Sequence, residues 1–148
     1  MSGDLEEIRN FVALEARIGS SGQPAPEQFT IIADAGYELV VNLAMPGHQD
    51  AIASEGALVT ALGMTYIHIP VPFDAPTEQH LSQFLGIMKA NQDKNVFVHC
   101  IMNYRVSAFM YHYYRRIEGR SDRDSRSEMF QRWQPDSVWQ KFLDRGGR

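Results

Sequence analysis

The sequence predicts an α/β domain with a central, mainly parallel sheet of four to five strands and helices on both faces. Short apolar strands alternate with helical segments along the chain, and 148 residues with 44% hydrophobic content are enough for one core. Strands that alternate with helices of this length are joined by right-handed crossovers, which cover both faces of a parallel sheet. We therefore expect a single domain over residues 1–148.

The first third of the chain is predicted to supply two helices and a strand. Apolar periodicity predicts a short helix over residues 5–14, and the turn-forming residues 20–26 predict a connector. A second helix is expected over residues 27–35, because Gly36 suits the left-handed position that follows a helix. Residues 38–43 are β-branched and apolar, which predicts a buried strand.

The middle of the chain continues the alternation. A helix is expected over residues 51–62, ended by Gly63, and a strand over 65–69, ended by a proline-rich turn. Thr77 is a good N-cap for the next helix, which extends to about residue 91 with one apolar face.

The last third is predicted to hold one more strand and several helices. Residues 95–99 form a short apolar strand, and residues 106–118 have a helical pattern that ends before Gly119. A charged linker follows, and one or two short helices broken near Pro135 complete the chain.

Composition excludes several classes of function. The net charge of −4 lacks the basic excess that nucleic-acid binding needs, so no nucleic-acid partner is expected. No apolar run approaches the roughly 20 residues of a membrane span, and the first residues are acidic where a secretory signal is basic. These residues predict a cytoplasmic protein without a membrane partner, as a monomer or weak homodimer.

Cys100 is the only cysteine, which excludes an intramolecular disulfide and a thiolate-rich zinc site. The five histidines show no paired metal-ligand spacing. We expect neither a metal nor another cofactor.

A candidate site follows the strand at residues 95–99, since ligands of open parallel sheets bind beyond the carboxyl ends of strands. A loop that leads from a strand into a helix presents backbone N–H groups and a helix dipole to an anion. The same field predicts a thiolate at Cys100, because thiol pKa values fall at helix N-termini and beside cations. Arg105 adds a planar fork that holds two oxygens of an oxyanion. The alternative is that Cys100 is a small buried hydrophobe.

The conjunction of His99, Cys100, a short loop, Arg105 and a helix resembles the active-site loop of cysteine-dependent protein tyrosine and dual-specificity phosphatases. The resemblance implies a phosphatase-like fold, Cys100 as nucleophile and a supporting role for His99. It also implies that a phosphorylated protein or small molecule binds to the loop residues. Those residues are His99, Ile101, Met102, Asn103, Tyr104 and Arg105.

Two further segments support the resemblance. These enzymes carry a general-acid aspartate after a strand that ends in a proline-rich turn, which here corresponds to Asp74. An Asx-turn or a capping role beside Pro76 is the alternative for Asp74. Residues 20–24 and 36–43 are similar to a bacterial branch of the superfamily that is sometimes fused to β-lactamase-like hydrolases. The resemblance covers roughly residues 19–116.

The loop departs from the general pattern in two ways. Only four residues separate Cys100 from Arg105, where the general family has five. The bacterial branch has this shorter spacing too, with glycine where this chain has Asn103, the residue type that best tolerates positive φ after glycine. In the family, the residue immediately after the arginine carries a hydroxyl group, which stabilises the thiolate when it departs. Here Ser107 comes one position later. It either takes over the role of that hydroxyl or forms a hydrogen bond within its own helix.

Three functions remain open from the sequence. The leading one is a phosphomonoester hydrolase that forms a cysteinyl-phosphate on Cys100, with Asp74 as general acid and then base. Rhodanese-type sulfurtransferases also use a four-residue spacing, so sulfur transfer is a second. A catalytically silent oxyanion-binding module is the third.

Overall fold

The structure is a computed structural model and describes residues 4–145. Its strands are β1 (Val12–Glu15), β2 (Ile18–Ser21), β3 (Leu39–Asn42), β4 (Thr65–His68) and β5 (Val96–His99). Its α-helices are α1 (Gln28–Asp34), α2 (Glu55–Ala61), α3 (Glu78–Ala90), α4 (Tyr104–His112) and α5 (Ser137–Asp144). Residues 1–3 and 146–148 of the predicted single domain lie outside the described residues, so that prediction stays open.

The strands of residues 4–145 form one sheet in the order β1-β2-β5-β3-β4. β2, β5, β3 and β4 are parallel, and β1 joins the edge as an antiparallel partner of β2. This arrangement confirms the predicted α/β class and its mainly parallel sheet.

Helices cover both faces of the sheet. Successive residues of a strand point to opposite faces, so each strand contributes to the packing on both sides. Val40 and Phe97 pack on one side with side chains of α1 and α2. Val41 and Val98 belong to the larger cluster on the other side, with α3, α4 and α5. β3 and β5 are therefore buried on both faces, as expected for central parallel strands.

The predicted helix over residues 5–14 is wrong. A 3₁₀ turn occupies Leu5–Glu7, Asn10 has a positive φ of 50°, and β1 begins at Val12. Pairing with the sheet edge overrides the weak helical periodicity, and Ser20 Oγ donates to the Val12 carbonyl oxygen at 3.0 Å.

The predicted connector over residues 20–26 is also partly wrong, because β2 extends through Ser20 and Ser21. Both serines are buried beside β5, and their hydroxyls donate to backbone carbonyl oxygens. These local hydrogen bonds allow two polar residues to occupy a buried strand.

The remaining predicted elements are present with shifted ends. Thr77 caps α3 as expected, and Gly36, Gly63 and Gly119 all have positive φ where helices end. α2 begins only at Glu55, and the helix predicted over residues 106–118 becomes α4 followed by a π-helical turn over Tyr113–Ile117. Within residues 4–145, no helix combines the length and the apolar character that a membrane span requires.

Candidate active site

The carboxyl ends of the parallel strands bring four polar residues into one row. Ser21 and Asn42 lie opposite His99 on its two neighbouring strands, and His68 lies beyond Asn42. The chain leaves β5 at His99, forms a short loop that begins with Cys100, and enters α4 at Tyr104. Cys100 therefore lies where the sheet topology predicts a ligand site.

The backbone carbonyl groups of this loop are all occupied by donors from the surrounding protein. These donors come from β5, the segment before β1, the segment after β2, and α4. They are His99 Nδ1 to Cys100 O (3.1 Å), Gln23 N to Ile101 O (2.9 Å), Asn10 Nδ2 to Met102 O (2.9 Å) and Ser107 Oγ to Asn103 O (2.6 Å).

The backbone N–H groups of the loop are arranged differently. Among the described residues, no protein acceptor receives a hydrogen bond from the N–H groups of Ile101 through Arg105. The N–H and C=O groups of a trans peptide point in opposite directions, so outward carbonyls leave the amides on the inner side. Several inward amides at a helix N-terminus form a cradle for an oxyanion.

Asn103 makes the tight turn that this arrangement needs. Its φ of 70° and ψ of 12° are left-handed, as the sequence predicted for this position. Its side-chain Nδ2 donates to the Asn10 carbonyl at 2.8 Å and to Ser20 Oγ at 3.2 Å. The side chain thus anchors the short loop to β2 and to the segment before β1, which glycine could not do.

Arg105 is only 5% exposed and is held in place by two contacts. Its Nη1 donates to the Val71 carbonyl at 2.9 Å, and its guanidinium lies 5.5 Å from the centre of the Phe73 ring. Its Nε is buried without a hydrogen-bond partner in the described structure. A guanidinium that is fixed but not fully bonded can still bind an anion.

A cavity of about 420 Å³ opens above this loop. It is lined by Met45, His48, Phe73, Cys100, Ile101, Met102, Tyr104 and Arg105. The Cys100 side chain is buried and forms part of its inner wall, whereas Met45, Phe73 and Met102 are 36 to 39% exposed. The structure therefore brings Cys100 and Arg105 to one cavity with an apolar mouth.

Asp74 lies in the segment that carries Phe73, one of the residues that line the cavity. It follows Phe73 directly and is exposed, but it is not among the lining residues. Trp139 of α5 holds the same segment, because its Nε1 donates to the Phe73 carbonyl at 2.7 Å and its ring lies 5.5 Å from the Phe73 ring. Arg105 and Trp139 thus both fix the segment that carries Asp74, and Phe73, the residue before Asp74, lines the cavity.

Ser107 is engaged within its own helix. Its hydroxyl donates to the Asn103 carbonyl four residues earlier, which is the back-bonding arrangement. The side chain is buried and does not line the cavity. A contact between Ser107 and a departing thiolate would require this hydrogen bond to be exchanged.

His99 lies behind the loop rather than in the cavity lining, and its partner was missed by sequence reasoning. Its Nε2 is 2.5 Å from Oε2 of Glu55, the first residue of α2, and Gln23 Nε2 donates to Glu55 Oε1 at 2.9 Å. Glu55 is 2% exposed. A signal was present, because Ile52, Glu55 and Val59 share one helical face, and a carboxylate on an otherwise apolar face needs a buried partner.

Within residues 4–145, no group of three or more histidine, cysteine, aspartate or glutamate side chains is placed to hold a metal.

Gly22 provides a test of how closely the loop is supported. A Cβ at this position would lie 2.3 Å from the Ile101 carbonyl oxygen, so Gly22→Ala must displace the cysteine loop. We expect the free energy of unfolding to fall by about 2 kcal/mol and the affinity for inorganic phosphate to fall as well. Urea denaturation and isothermal titration calorimetry measure the two effects.

The matched control is Gly86→Ala, where no atom lies within 4 Å of the added Cβ. Gly86 is inside α3, so the alanine should stabilise the protein by about 0.5 kcal/mol or more and leave phosphate binding unchanged. A Gly22→Ala protein as stable as the wild type would contradict the close support of the loop.

A family model and several known proteins match this chain. A family model described as "Polymorphic toxin system, DSP-PTPase phosphatase" matches residues 16–108. The β-lactamase hydrolase-like protein of Xylella fastidiosa strain Temecula1 is 30% identical over 116 residues, which are 76% of this chain and 26% of that protein. The chain thus spans about a quarter of the length of the curated relatives it matches.

Solved structures show the same fold. A DUF442 protein from Shewanella putrefaciens CN-32 is 33% identical, with a TM-score of 0.85 over 95% of this chain and 92% of that one. TpbA of P. aeruginosa, in a complex with pTyr, is 14% identical, with a TM-score of 0.67 over 93% of this chain and 83% of that one. These findings confirm the resemblance stated from the sequence, and the chain belongs to the DSP-PTPase phosphatase family.

Proposed function

We propose that this chain is a phosphomonoester hydrolase in which Cys100 is the nucleophile. The observation that carries the proposal is the loop itself. Its carbonyls all accept from protein donors, the N–H groups of Ile101 through Arg105 have no protein acceptor in the described structure, and Cys100 and Arg105 line the same cavity. Amides and a guanidinium fixed in this way stabilise the charge that develops on a phosphoryl group during transfer.

The first step transfers the phosphoryl group to the enzyme. The Cys100 thiolate attacks phosphorus, the P–S bond forms, and the ester P–O bond breaks. Asp74 donates its proton to the departing alkoxide or phenoxide oxygen, while the loop amides and Arg105 hold the non-bridging oxygens.

The second step regenerates the enzyme. A water molecule attacks phosphorus, and the Asp74 carboxylate takes one of its protons. The P–S bond breaks, and the products are inorganic phosphate and the Cys100 thiolate. Ser107 assists this departure if its hydroxyl turns from the Asn103 carbonyl to the sulfur. No cofactor takes part in either step.

The cavity mouth suggests which phosphate esters fit. Met45, Phe73 and Met102 border it, and Tyr104 stacks on Trp133 with ring centres 5.0 Å apart. An apolar or aromatic leaving group gains contact with these side chains. Phosphotyrosine in a protein and aryl phosphates are therefore the first substrates to test.

The test of the function is hydrolysis of para-nitrophenyl phosphate, followed by acid quenching and peptide mass spectrometry. We expect turnover by the wild type and one phosphoryl group on the peptide that contains Cys100. Tight binding of phosphate without hydrolysis of any aryl or alkyl phosphate would indicate a silent oxyanion-binding module. A stable added sulfur on Cys100 after thiosulfate treatment, without phosphatase activity, would indicate sulfur transfer.

Asp74 is tested by the dependence of rate on the leaving group. Asp74→Asn cannot donate a proton, so we expect it to slow hydrolysis of phenyl phosphate by about 10²-fold or more, because general acid catalysis contributes on this scale. Dinitrophenyl phosphate has a leaving group that needs little protonation, and its rate should change much less. The measurement is kcat/KM with each ester, which reports the first step alone. The second step, in which Asp74 acts as base, is common to both esters and affects only kcat.

Asp93→Asn is the matched control, because Asp93 is an exposed aspartate in the turn after α3. Its rates with both esters should equal those of the wild type. An Asp74→Asn enzyme whose kcat/KM falls by the same factor with both esters would contradict the general-acid role.

A further inference from the structure

His99 and Glu55 form a buried contact behind the cysteine loop. The His99 ring is fully buried between the cysteine loop and α2, with the Phe29 ring 6.1 Å away. Its two nitrogens have different partners, the Cys100 carbonyl oxygen at 3.1 Å and Glu55 Oε2 at 2.5 Å. The residue next to the proposed nucleophile is thus connected to a buried acidic side chain.

The partners decide the charge of His99. A carbonyl oxygen can only accept, so Nδ1 must donate to Cys100 O. An ionised carboxylate can also only accept, so Nε2 donates to Glu55 when Glu55 is ionised. A histidine that donates from both ring nitrogens is an imidazolium cation.

The surroundings of Glu55 favour its ionised form. Burial alone would raise the pKa of Glu55, but the hydrogen bond and charge of His99, the Gln23 amide and, less strongly, the charge of His68 together hold that pKa below its usual value of 4.5. The carboxylate is therefore charged at neutral pH.

Two other groups complete the set that faces the carboxylate. Burial raises the pKa of Tyr66 to about 12. The hydrogen bond from Asn42 lowers this pKa and the charge of Glu55 raises it, and Tyr66 is neutral. His68 lies on β4 with Nε2 2.7 Å from the Ala44 carbonyl. Among the described groups around Glu55, His99 is the direct ionic partner.

We propose that Glu55 is a positioning residue that holds His99 as an imidazolium behind the cysteine loop, and that this cation stabilises the Cys100 thiolate. Glu55 acts through His99 and does not touch the substrate. The role in phosphoryl transfer rests on the proposed function, whereas the effect on the thiol can be measured without it.

The experiment compares alkylation of the thiol by iodoacetamide in the wild type and in Glu55→Gln. Glutamine keeps the shape, can accept from Gln23, and can donate to a neutral His99 Nε2, but it removes the charge that favours the imidazolium. We expect the alkylation rate near pH 6 to fall about tenfold, because an opposite charge nearby favours an ionised group on this scale. Near pH 9.5 the two rates should be equal.

Glu78→Gln is the matched control, since Glu78 forms an exposed ion pair with Arg116 on another part of the fold. It should alkylate like the wild type at both pH values. His99→Asn should reproduce the effect of Glu55→Gln, and the double variant should be no slower than either single variant, since both remove the same charge. Equal alkylation of wild type and Glu55→Gln near pH 6 would overturn the proposal.

A measurement on the wild type keeps the proposal testable if Glu55→Gln does not fold. In ¹⁵N-histidine-labelled protein, with the His99 signals assigned by comparison with His99→Asn, both ring nitrogens should carry a proton near pH 7. One unprotonated nitrogen would overturn the proposal.

Failure of the proposed function looks different. A protein that hydrolyses no phosphate ester yet shows the alkylation difference supports the role of Glu55 and contradicts phosphatase activity. A working phosphatase whose thiol does not respond to Glu55→Gln contradicts the role of Glu55 alone.

Discussion

We expect Cys100→Ser to lower the rate of aryl phosphate hydrolysis by about 10⁴-fold or more, because a hydroxyl is a much weaker nucleophile than a thiolate. Serine is close in size to cysteine, so the buried site should keep its structure. The loop amides and Arg105 remain in place, and binding of inorganic phosphate should persist. Steady-state kinetics and isothermal titration calorimetry separate the two properties.

A cysteine placed outside the cavity tests whether activity needs a thiol at position 100 or any thiol on the chain. Ser82 is exposed on α3, so Ser82→Cys in the Cys100→Ser background restores the thiol content of the chain but not a thiol in the cavity. This double variant should be as inactive as Cys100→Ser. Residual activity above one tenth of the wild-type rate in Cys100→Ser would exclude Cys100 as the nucleophile.

Arg105→Lys is expected to have the second largest effect. Lysine keeps the charge but has no planar fork, so it cannot hold two phosphoryl oxygens or keep the same contact with the Val71 carbonyl. We expect kcat/KM to fall by about 10²-fold to 10³-fold, the range seen when a donor to a developing oxyanion is removed. Most of the loss should be in kcat, since the donors matter most in the transition state.

Arg126→Lys is the matched control, because Arg126 pairs with Asp122 at the surface and lies outside the cavity lining. It should leave kcat/KM unchanged. The loss in Arg105→Lys should also be less than additive with Asp74→Asn, because Arg105 holds the segment that carries Asp74. Wild-type kinetics in Arg105→Lys would contradict a bidentate role for the guanidinium.

The parts of the fold that the sequence predicted well are those determined by local patterns. β3, β4 and β5 consist mainly of β-branched and aromatic residues before the polar residue that ends each strand. Thr77 and Gly36 mark helix ends through the chemistry of single residues. The hairpin of β1 and β2 was missed because its four-residue strands contain polar side chains. β2 is stabilised by pairing with β5, and β1 by pairing with β2, which no local pattern reports.

The same division applies to the site. Cys100 and Arg105 were predicted because they lie within one short segment, next to the strand that positions them. Asn10, Gln23 and Glu55 support that segment from three distant parts of the chain. Only Glu55 left a signal, as an acid on an apolar helical face, and its partner could not be identified before the sheet order was known.

The outward carbonyls of the cysteine loop also bear on the thermodynamics of binding. Hydrogen bonds from four separate elements fix the backbone, so the conformational entropy of the loop is lost when the chain folds. Under the proposed function, an arriving oxyanion would meet N–H groups that are already aligned and would order little of the protein. Such a preorganised receptor should bind phosphate with a small change in heat capacity and without the slow phase of an induced fit.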